Sequence, residues 1–429
     1  MHGRMIHAPS PIDGDPIATP QAYDIHGRFI RAADRAALNK ALLNELAGYD
    51  NVRLFFDHRL AGADLNRGLA WVEDRSLKGP ESGNANLAAN QQAAGKTRPE
   101  EREISFDLLL GADGAHSAVR YHLMKFARVS YTQSYIETLW AEFHIAPAPA
   151  PQGSSADDTD FAISPHHLHI WPSPKGSAEP MMLIAIPSSD KSFTCTLFAS
   201  PATFQHLEAD PARHVVPFFE QNFPGIAPTL ILPDDLVAQF SRNPHLPLIS
   251  VKCTPHHYVG QSKGEDIGGS RKGAVILGDA AHAMVPFYGQ GMNAGLEDVR
   301  VLFETLDEHR GDLEAALEAY TRQRAPDSHA IVDLSMANFE EMREGVTSPV
   351  YKARKAVEEV LSVYAPWTGF RTQYSRVSFS DERYSEVMQN VERQGRVLSW
   401  TGGVTAVALL GMGVAWMHRA GVLGRIGRS

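Results

Sequence analysis

The sequence predicts an α/β protein with short parallel strands that end in glycine–acid turns, a separate antiparallel sheet between them in the chain, and helices after them. Three observations lead there. Apolar runs at residues 108–110 and 274–277, each closed by a Gly/Asp turn and followed by a helical pattern, have the composition of buried parallel strands. Between residues 131 and 258 the texture changes to repeated alternating strands. From residue 313 onward, apolar residues recur at helical spacing.

Size and charge narrow the class. A chain of 429 residues is long enough for two or three domains with a large core. The formal net charge of −10 argues against nucleic acid as a partner, because neutralising phosphates needs a basic face. Cys195 and Cys253 offer neither a disulfide framework nor a zinc spacing, and both read as buried small hydrophobes of a reducing compartment. No metal set is expected. Alternation puts His167 and His169 on one strand face and His166 on the other, with no Asp or Cys ligand close by.

In chain order, the opening MHGRMIHAPSP has no apolar core of a signal peptide. A loop rich in Pro, Asp and Gly leads to a helix for which Asp34 is the candidate N-cap, with Leu38, Leu42, Leu43 and Leu46 as its apolar stripe. Strands are expected at residues 52–56 and 69–73, and the aperiodic stretch 75–102 reads as a disordered hairpin insertion. After the strand at 108–110, residues 111–114 make a tight exit, and His116 or Ser117 caps the helix that carries Arg120. The antiparallel strands fall at 138–145, 166–171, 181–187, 193–200 and 246–253, with helical segments between them. That sheet is expected to have one face covered and the other roofing a cavity. Helices follow at 313–320, 328–341, 352–364 and 381–393. Residues 400–417 carry no charge and are about the minimum length to cross a bilayer. Trp400 and Trp416 sit near the ends of this run, and Arg419, Arg425 and Arg428 follow it. A buried terminal helix is the alternative, but Gly402, Gly403, Gly411 and Gly413 would weaken it.

Residues 273–299, GAVILGDAAHAMVPFYGQGMNAGLEDV, carry the most chemistry. The apolar strand breaks at Gly278, and Asp279 offers a carboxylate suited to sugar hydroxyls. Pro286, Gly289, Gln290, Gly291, Met292, Asn293 and Gly295 lead into a helix. Its first turn presents unpaired N–H groups and the positive end of the dipole to an anion or an electron-rich carbonyl. A bare GxG would more often be an ordinary strand–turn–helix loop, but the whole string is far more specific. Asp113, in GADG, either serves a nucleotide or is only a turn former.

Residues 273–299 resemble the second flavin-binding motif of the single-component FAD-dependent aromatic hydroxylases, and residues 111–114 resemble their DG turn. The resemblance implies FAD, with Asp279 on the ribityl chain. Pro286 and the loop from Gly289 to Asn293 would flank the isoalloxazine, and the helix start would face its pyrimidine edge. Asp113 would then lie between flavin and NADPH. Further segments are similar to the kynurenine 3-monooxygenase family over essentially the whole chain: RMIH at 4–7, HLHIWP at 167–172, KSFTCTLF at 191–198, ISVKC at 249–253, DLSMANFEEMR at 333–343 and QYSRVSFSDERY at 373–384.

That likeness implies substrate roles. Arg4 would grip the substrate carboxylate, for which a guanidinium fork is suited, and Tyr23 would share it. Asn338 and Tyr374 would complete the polar contacts. Glu341 and Met342, about a turn from Asn338, would face the same pocket, with Phe287 as the wall between flavin and substrate. On the cofactor side, Arg35 would clamp the pyrophosphate and Leu60 would touch FAD by backbone or packing. Each of these side chains would look the same in sequence if it were merely packed or at the surface. The implied reaction is NADPH- and O2-dependent hydroxylation of L-kynurenine to 3-hydroxy-L-kynurenine through a flavin C4a-hydroperoxide, in tryptophan degradation and NAD biosynthesis. The apolar tail would anchor the protein in the mitochondrial outer membrane with its catalytic part facing the cytosol.

One departure from the family is large. Its members begin with a strand leading into G-x-G-x-x-G, and this chain contains no such string. The expected architecture is therefore an FAD-dependent aromatic-hydroxylase fold, N-terminally truncated. It has a Rossmann-like FAD domain lacking its first βαβ unit, an antiparallel substrate sheet, C-terminal helices and a transmembrane helix. The expected boundaries are 1–128 and 259–330 for the FAD domain, 129–258 for the sheet, 331–397 for the helices and 398–418 for the anchor. A non-catalytic membrane-tethered remnant, or another FAD monooxygenase acting on a phenol or lipid, are the alternatives. The set Arg4, Tyr23, Asn338 and Tyr374 points instead to an amino-acid carboxylate.

Overall fold

The computed structural model describes residues 1–9, 16–23, 25–76, 101–149, 160–173, 179, 181–260, 271–343 and 349–399. Its strands are β1 (Gly3–Pro9), β2 (Pro16–Ala22), β3 (His58–Asp64), β4 (Leu69–Asp74), β5 (Glu101–Ser105), β6 (Leu108–Gly111), β7 (Ser130–Ile145), β8 (His167–Trp171), β9 (Met182–Pro187), β10 (Phe193–Ala199), β11 (Leu246–Thr254), β12 (His257–Val259) and β13 (Gly273–Ile276). The helices are α1 (Arg35–Leu46), α2 (Ala118–Phe126), α3 (Pro201–Ala209), α4 (Pro211–Asn222), α5 (Pro233–Arg242), α6 (Asp279–His282), α7 (Gly291–Glu308), α8 (Leu313–Arg343), α9 (Pro349–Tyr364), α10 (Gln373–Phe379) and α11 (384–399). The chain divides into two units, Met1–Tyr351 and Lys352–Ser429.

The first unit is built on a seven-stranded sheet ordered β11-β7-β10-β9-β8-β1-β2. All five strands that the sequence predicts lie in it, as β7 to β11, and RMIHAP adds a further strand, β1, that periodicity did not reveal. β1 runs parallel to β8, with Arg4 opposite Leu168 and Ile6 opposite Ile170, and pairs antiparallel with β2. Alternation along β10 sends Cys195 and Leu197 to one face and Phe198 to the other. The first face packs with α3, α4 and α5 through Phe143, Trp171, Phe193, Phe204, Phe219 and Phe240, forming the largest apolar cluster. The second face meets Phe287, Phe339 and Met342. Both cysteines are buried, and burial pushes the Cys253 thiol up to about 11.

A smaller sheet, β12-β13-β6, carries both glycine–acid turns, with β13 and β6 parallel. β13 is buried throughout. β6 is not buried as the sequence suggested: among the described residues β13 is its one strand partner, and Leu110 is 46% exposed. The same physics corrects the strand expected at residues 52–56. Among the described residues no strand lies beside it to take its backbone hydrogen bonds, and it stays irregular, with Phe55 and Phe56 exposed. Helix α1 forms with Asp34 as N-cap, its carboxylate accepting from the Ala37 N–H, yet none of its residues is buried. Its leucine stripe lacks a packing partner among the described residues. The predicted insertion at 75–102 joins β4 to β5; residues 77–100 lie outside the described residues.

The helices expected at 313–320 and 328–341 are one continuous α8. Pro326, which should break it, lies on the exposed side above exposed Arg322, so the carbonyl it leaves unpaired faces water. In the second unit, α10 and α11 close around Arg376, which donates to Glu382 Oε2 (2.6 Å), Gly369 O (2.5 Å) and Gln394 Oε1 (2.8 Å). α11 starts and ends later than the expected 381–393. From residue 400 the expected anchor, 398–418, lies outside the described residues; among those described, no helix is long and apolar enough to cross a membrane.

Two outcomes follow from this packing. Phe219→Ala empties a site between Phe143 and Phe223 (ring centroids 5.1 and 5.4 Å). It should cost about 3–5 kcal/mol, read as a lower denaturant midpoint at unchanged m-value. The second concerns His7, stacked on Trp171 at 4.1 Å. His169 Nε2 lies 2.8 Å from Ser164 O, which makes that nitrogen the donor, so His7 Nε2–H donates to His169 Nδ1 at 2.8 Å with both rings neutral. Burial, and then the His169 charge, push the His7 pKa down to about 4. Between the unfolded value near 6.5 and about 4, the unfolded chain binds a proton that the folded one refuses. Stability should therefore fall as pH drops through that window, and thermal melts of His7→Gln should show a shallower fall than the parent.

Candidate functional site: two turns at one end of the small sheet

Parallel register places Gly111 of β6 beside Ile276 of β13, so the DG and GD turns leave the same end of the sheet. Gly278 adopts φ 57° and ψ −142°, which a residue with a Cβ rarely tolerates, and α7 crosses it closely at Gly295. Asp279 opens α6 with its carboxylate exposed, and among the described residues nothing pairs with it. Pro286 starts a 3-10 turn, Pro286–Tyr288, that ends at Gly289 in the left-handed region (φ 66°). Gln290 is the N-cap of α7 without a side-chain cap bond, so the first-turn N–H groups from Gly291 to Asn293 keep their donors. Asn293 Nδ2 donates to Gln290 Oε1 at 3.0 Å, and Met292 lies at the surface.

An unpartnered carboxylate beside an uncapped helix start fits FAD on both counts. The carboxylate suits the polyol of the ribityl chain, and the N–H groups suit the carbonyl edge of the ring. Asp113, by contrast, spends its carboxylate on the start of α2. It accepts from Ser117 Oγ (2.5 Å), Ala118 N (2.7 Å) and Val119 N (3.1 Å), which is the turn-forming role. Ser117 is the N-cap, taking the Arg120 N–H at 2.9 Å. Leu60 packs against Val119, Cys253, Ile276 and Ala280, behind the two turns. Arg35 stands exposed on the first turn of α1, and no hydrogen bond or ion pair among the described residues joins it to either turn.

Most residues expected at the substrate gather around the second face of the large sheet. Arg4 is 6% exposed, with Nη1 3.9 Å from Glu341 Oε1 and its guanidinium 5.9 Å from the centre of the Tyr23 ring. Asn338 is buried and donates from Nδ2 to Phe287 O at 2.8 Å, so it ties α8 to the 3-10 turn. Met342 receives a longer contact from the same amide at 3.5 Å. Phe287 stacks on Phe339 at 4.4 Å and lies 4.8 Å from Phe198. Tyr374 belongs to the second unit, in α10, edge-on to Phe379 at 6.2 Å.

Sequence reasoning missed the charged residues beneath the turns. Arg120 is 5% exposed and donates to Ala115 O and Ala280 O, both at 2.6 Å, clamping the DG loop to α6. Asp298, fully buried on α7, accepts from Gly278 N (2.8 Å), His282 Nε2 (2.5 Å) and Arg324 Nε (2.8 Å). Burial alone would raise its pKa. The bond from His282, with the charges of His282 and Arg324, overrides that and holds the carboxyl down at about 2. The available signal was an acid and an arginine at core positions of otherwise apolar helical stripes.

Residues 267–335 match the FAD binding domain family. The chain is 51% identical over 424 residues to the kynurenine 3-monooxygenase of Neosartorya fischeri, covering 96% of this chain and 75% of that one. It is 50% identical over 445 residues to the Neurospora crassa protein of that name, covering 99% and 79%. Among solved structures it shares the fold of a variant of 2-methyl-3-hydroxypyridine-5-carboxylic acid oxygenase (TM-score 0.52, 17% identity, 81% and 76% of the two chains). It also shares that of PqsL from Pseudomonas aeruginosa, a probable FAD-dependent monooxygenase (TM-score 0.51, 17% identity, 80% and 79%). With half of its residues identical over nearly its whole length, the chain belongs to the kynurenine 3-monooxygenase family.

Proposed function

We propose that the protein hydroxylates L-kynurenine to 3-hydroxy-L-kynurenine with NADPH and O2, using FAD held at the turn of Gly278 and Asp279. The observation that carries this is the pairing of that turn with a buried arginine, Arg4, beside the half-buried carboxylate of Glu341, in a chain about half identical to enzymes of that name. FAD reduced by NADPH supplies the activation of O2 and the electrophilic oxygen. Asp279 accepts hydrogen bonds from ribityl hydroxyls, and the start of α7 faces the polar edge of the ring system.

Arg4 and Glu341 match the two ends of an amino-acid headgroup. The guanidinium takes the carboxylate, and Glu341 takes the ammonium group. Burial of Arg4 excludes water and strengthens the contact. Tyr23 braces the guanidinium. Phe287, held by Phe339 and by the Asn338 bond to its carbonyl, limits where an aromatic ring can lie and keeps the reacting region dry. Arg35 adds a charge for the pyrophosphate. The uncharged run 400–417, with tryptophans near both ends and arginines beyond, supports anchoring in the mitochondrial outer membrane with the catalytic part facing the cytosol.

Purified protein supplied with FAD, NADPH and L-kynurenine should form 3-hydroxy-L-kynurenine carrying one atom from labelled O2; NADPH oxidation with no labelled product would refute the assignment. Arg4→Ala should weaken L-kynurenine binding by roughly 10²-fold or more, the effect of stranding a desolvated charge partner. The same variant should leave FAD content unchanged, as measured by absorbance. For the anchor, alkaline carbonate should leave the full chain in the membrane pellet and release a chain ending at residue 399.

A further inference from the structure

Beneath the flavin turn lies a charged cluster that neither substrate nor cofactor recruits. Arg324 is 1% exposed and meets three carboxylates: Asp298 at 2.8 Å, Glu297 at 3.0 Å and Asp327 at 3.5 Å. Its Nη2 also donates to Ala294 O at 3.4 Å. Asp298 faces the other way as well. Its Oδ2 takes the Gly278 N–H and the His282 Nε2–H, from the two ends of the segment that contains Asp279. One carboxylate thus holds Gly278 in its positive-φ conformation and pins the last residue of α6. Between those two anchors the Asp279 side chain is exposed, and among the described residues nothing pairs with it.

We propose that Asp298 is a positioning residue for the flavin: it aims the turn so that the Asp279 carboxylate meets the ribityl chain, and it acts on the cofactor only through Asp279. Arg324 is what lets that carboxylate stay ionised without water, and His282 completes its hydrogen bonds. This rests on FAD being held at the Asp279 turn. A general staple between α7 and β13 would use the same atoms, but it would not make the effect of Asp298 depend on Asp279.

The test is a double-mutant cycle on FAD affinity in the full chain, read by quenching of flavin fluorescence on titration of apoprotein. Asp279→Ala should weaken FAD binding. Asp298→Asn should weaken it about tenfold in the parent and less than about twofold in the Asp279→Ala background. Glu297→Gln, which touches Arg324 but not the turn, should leave affinity within about twofold. Equal losses from Asp298→Asn in both backgrounds would overturn the proposal, as would no loss in the parent. If Asp279→Ala itself leaves FAD affinity unchanged, the placement of the flavin fails, and the proposal fails with it. Should Asp298→Asn not fold, His282→Gln removes the other donor to the same oxygen. The same cycle then decides, non-additivity supporting the proposal and additivity overturning it.

Discussion

Arg324 is a full positive charge with almost no access to water, and such a charge is tolerated only where carboxylates and hydrogen bonds replace its hydration. Here Asp298 supplies the closest replacement, and the pair joins α8 to α7. The second oxygen of Asp298 then reaches the turn between β13 and α6. Removing either member would strand the other in the core, which typically costs several kcal/mol. The cluster therefore fixes, with one set of contacts, where the central strand ends, how the turn faces and where the long helix α8 crosses.

Arg120 makes a parallel arrangement on the other side of the same sheet end. Its guanidinium holds carbonyls from the DG loop and from α6, with the Tyr131 ring stacked 4.9 Å away. The two motifs far apart in sequence are thereby tied together. On the side of the large sheet the coupling runs through Asn338, whose amide ties α8 to the 3-10 turn that carries Phe287. The Phe287 turn and the Gly278 turn thus share α8 as their common support.

Much of this was legible in the chain. The strand, acidic turn and glycine-rich helix start are local, so 273–299 could be placed before any fold was known, and alternation gave five strands of the large sheet. What escaped was set by partners distant in sequence. Residues 52–56 have strand composition, but composition does not supply a neighbouring strand, and α1 has a leucine stripe that nothing described covers. β1 joins β8 across some 160 residues, which puts Arg4 in the large sheet. The helices expected at 313–320 and 328–341 proved to be one, because whether the helix tolerates Pro326 depends on the exposure of the carbonyl it frees, a tertiary property. Asp113 had two roles open to it, and only coordinates show its oxygens committed to α2.

The account stands or falls on where the two charged ends of the substrate and the flavin polyol lie. A crystal structure of the protein with FAD and L-kynurenine bound measures this directly. The account predicts the substrate carboxylate within hydrogen-bond distance of the Arg4 guanidinium and a ribityl hydroxyl on the Asp279 carboxylate. A flavin bound away from that turn, or a substrate whose carboxylate faces elsewhere than Arg4, would contradict it.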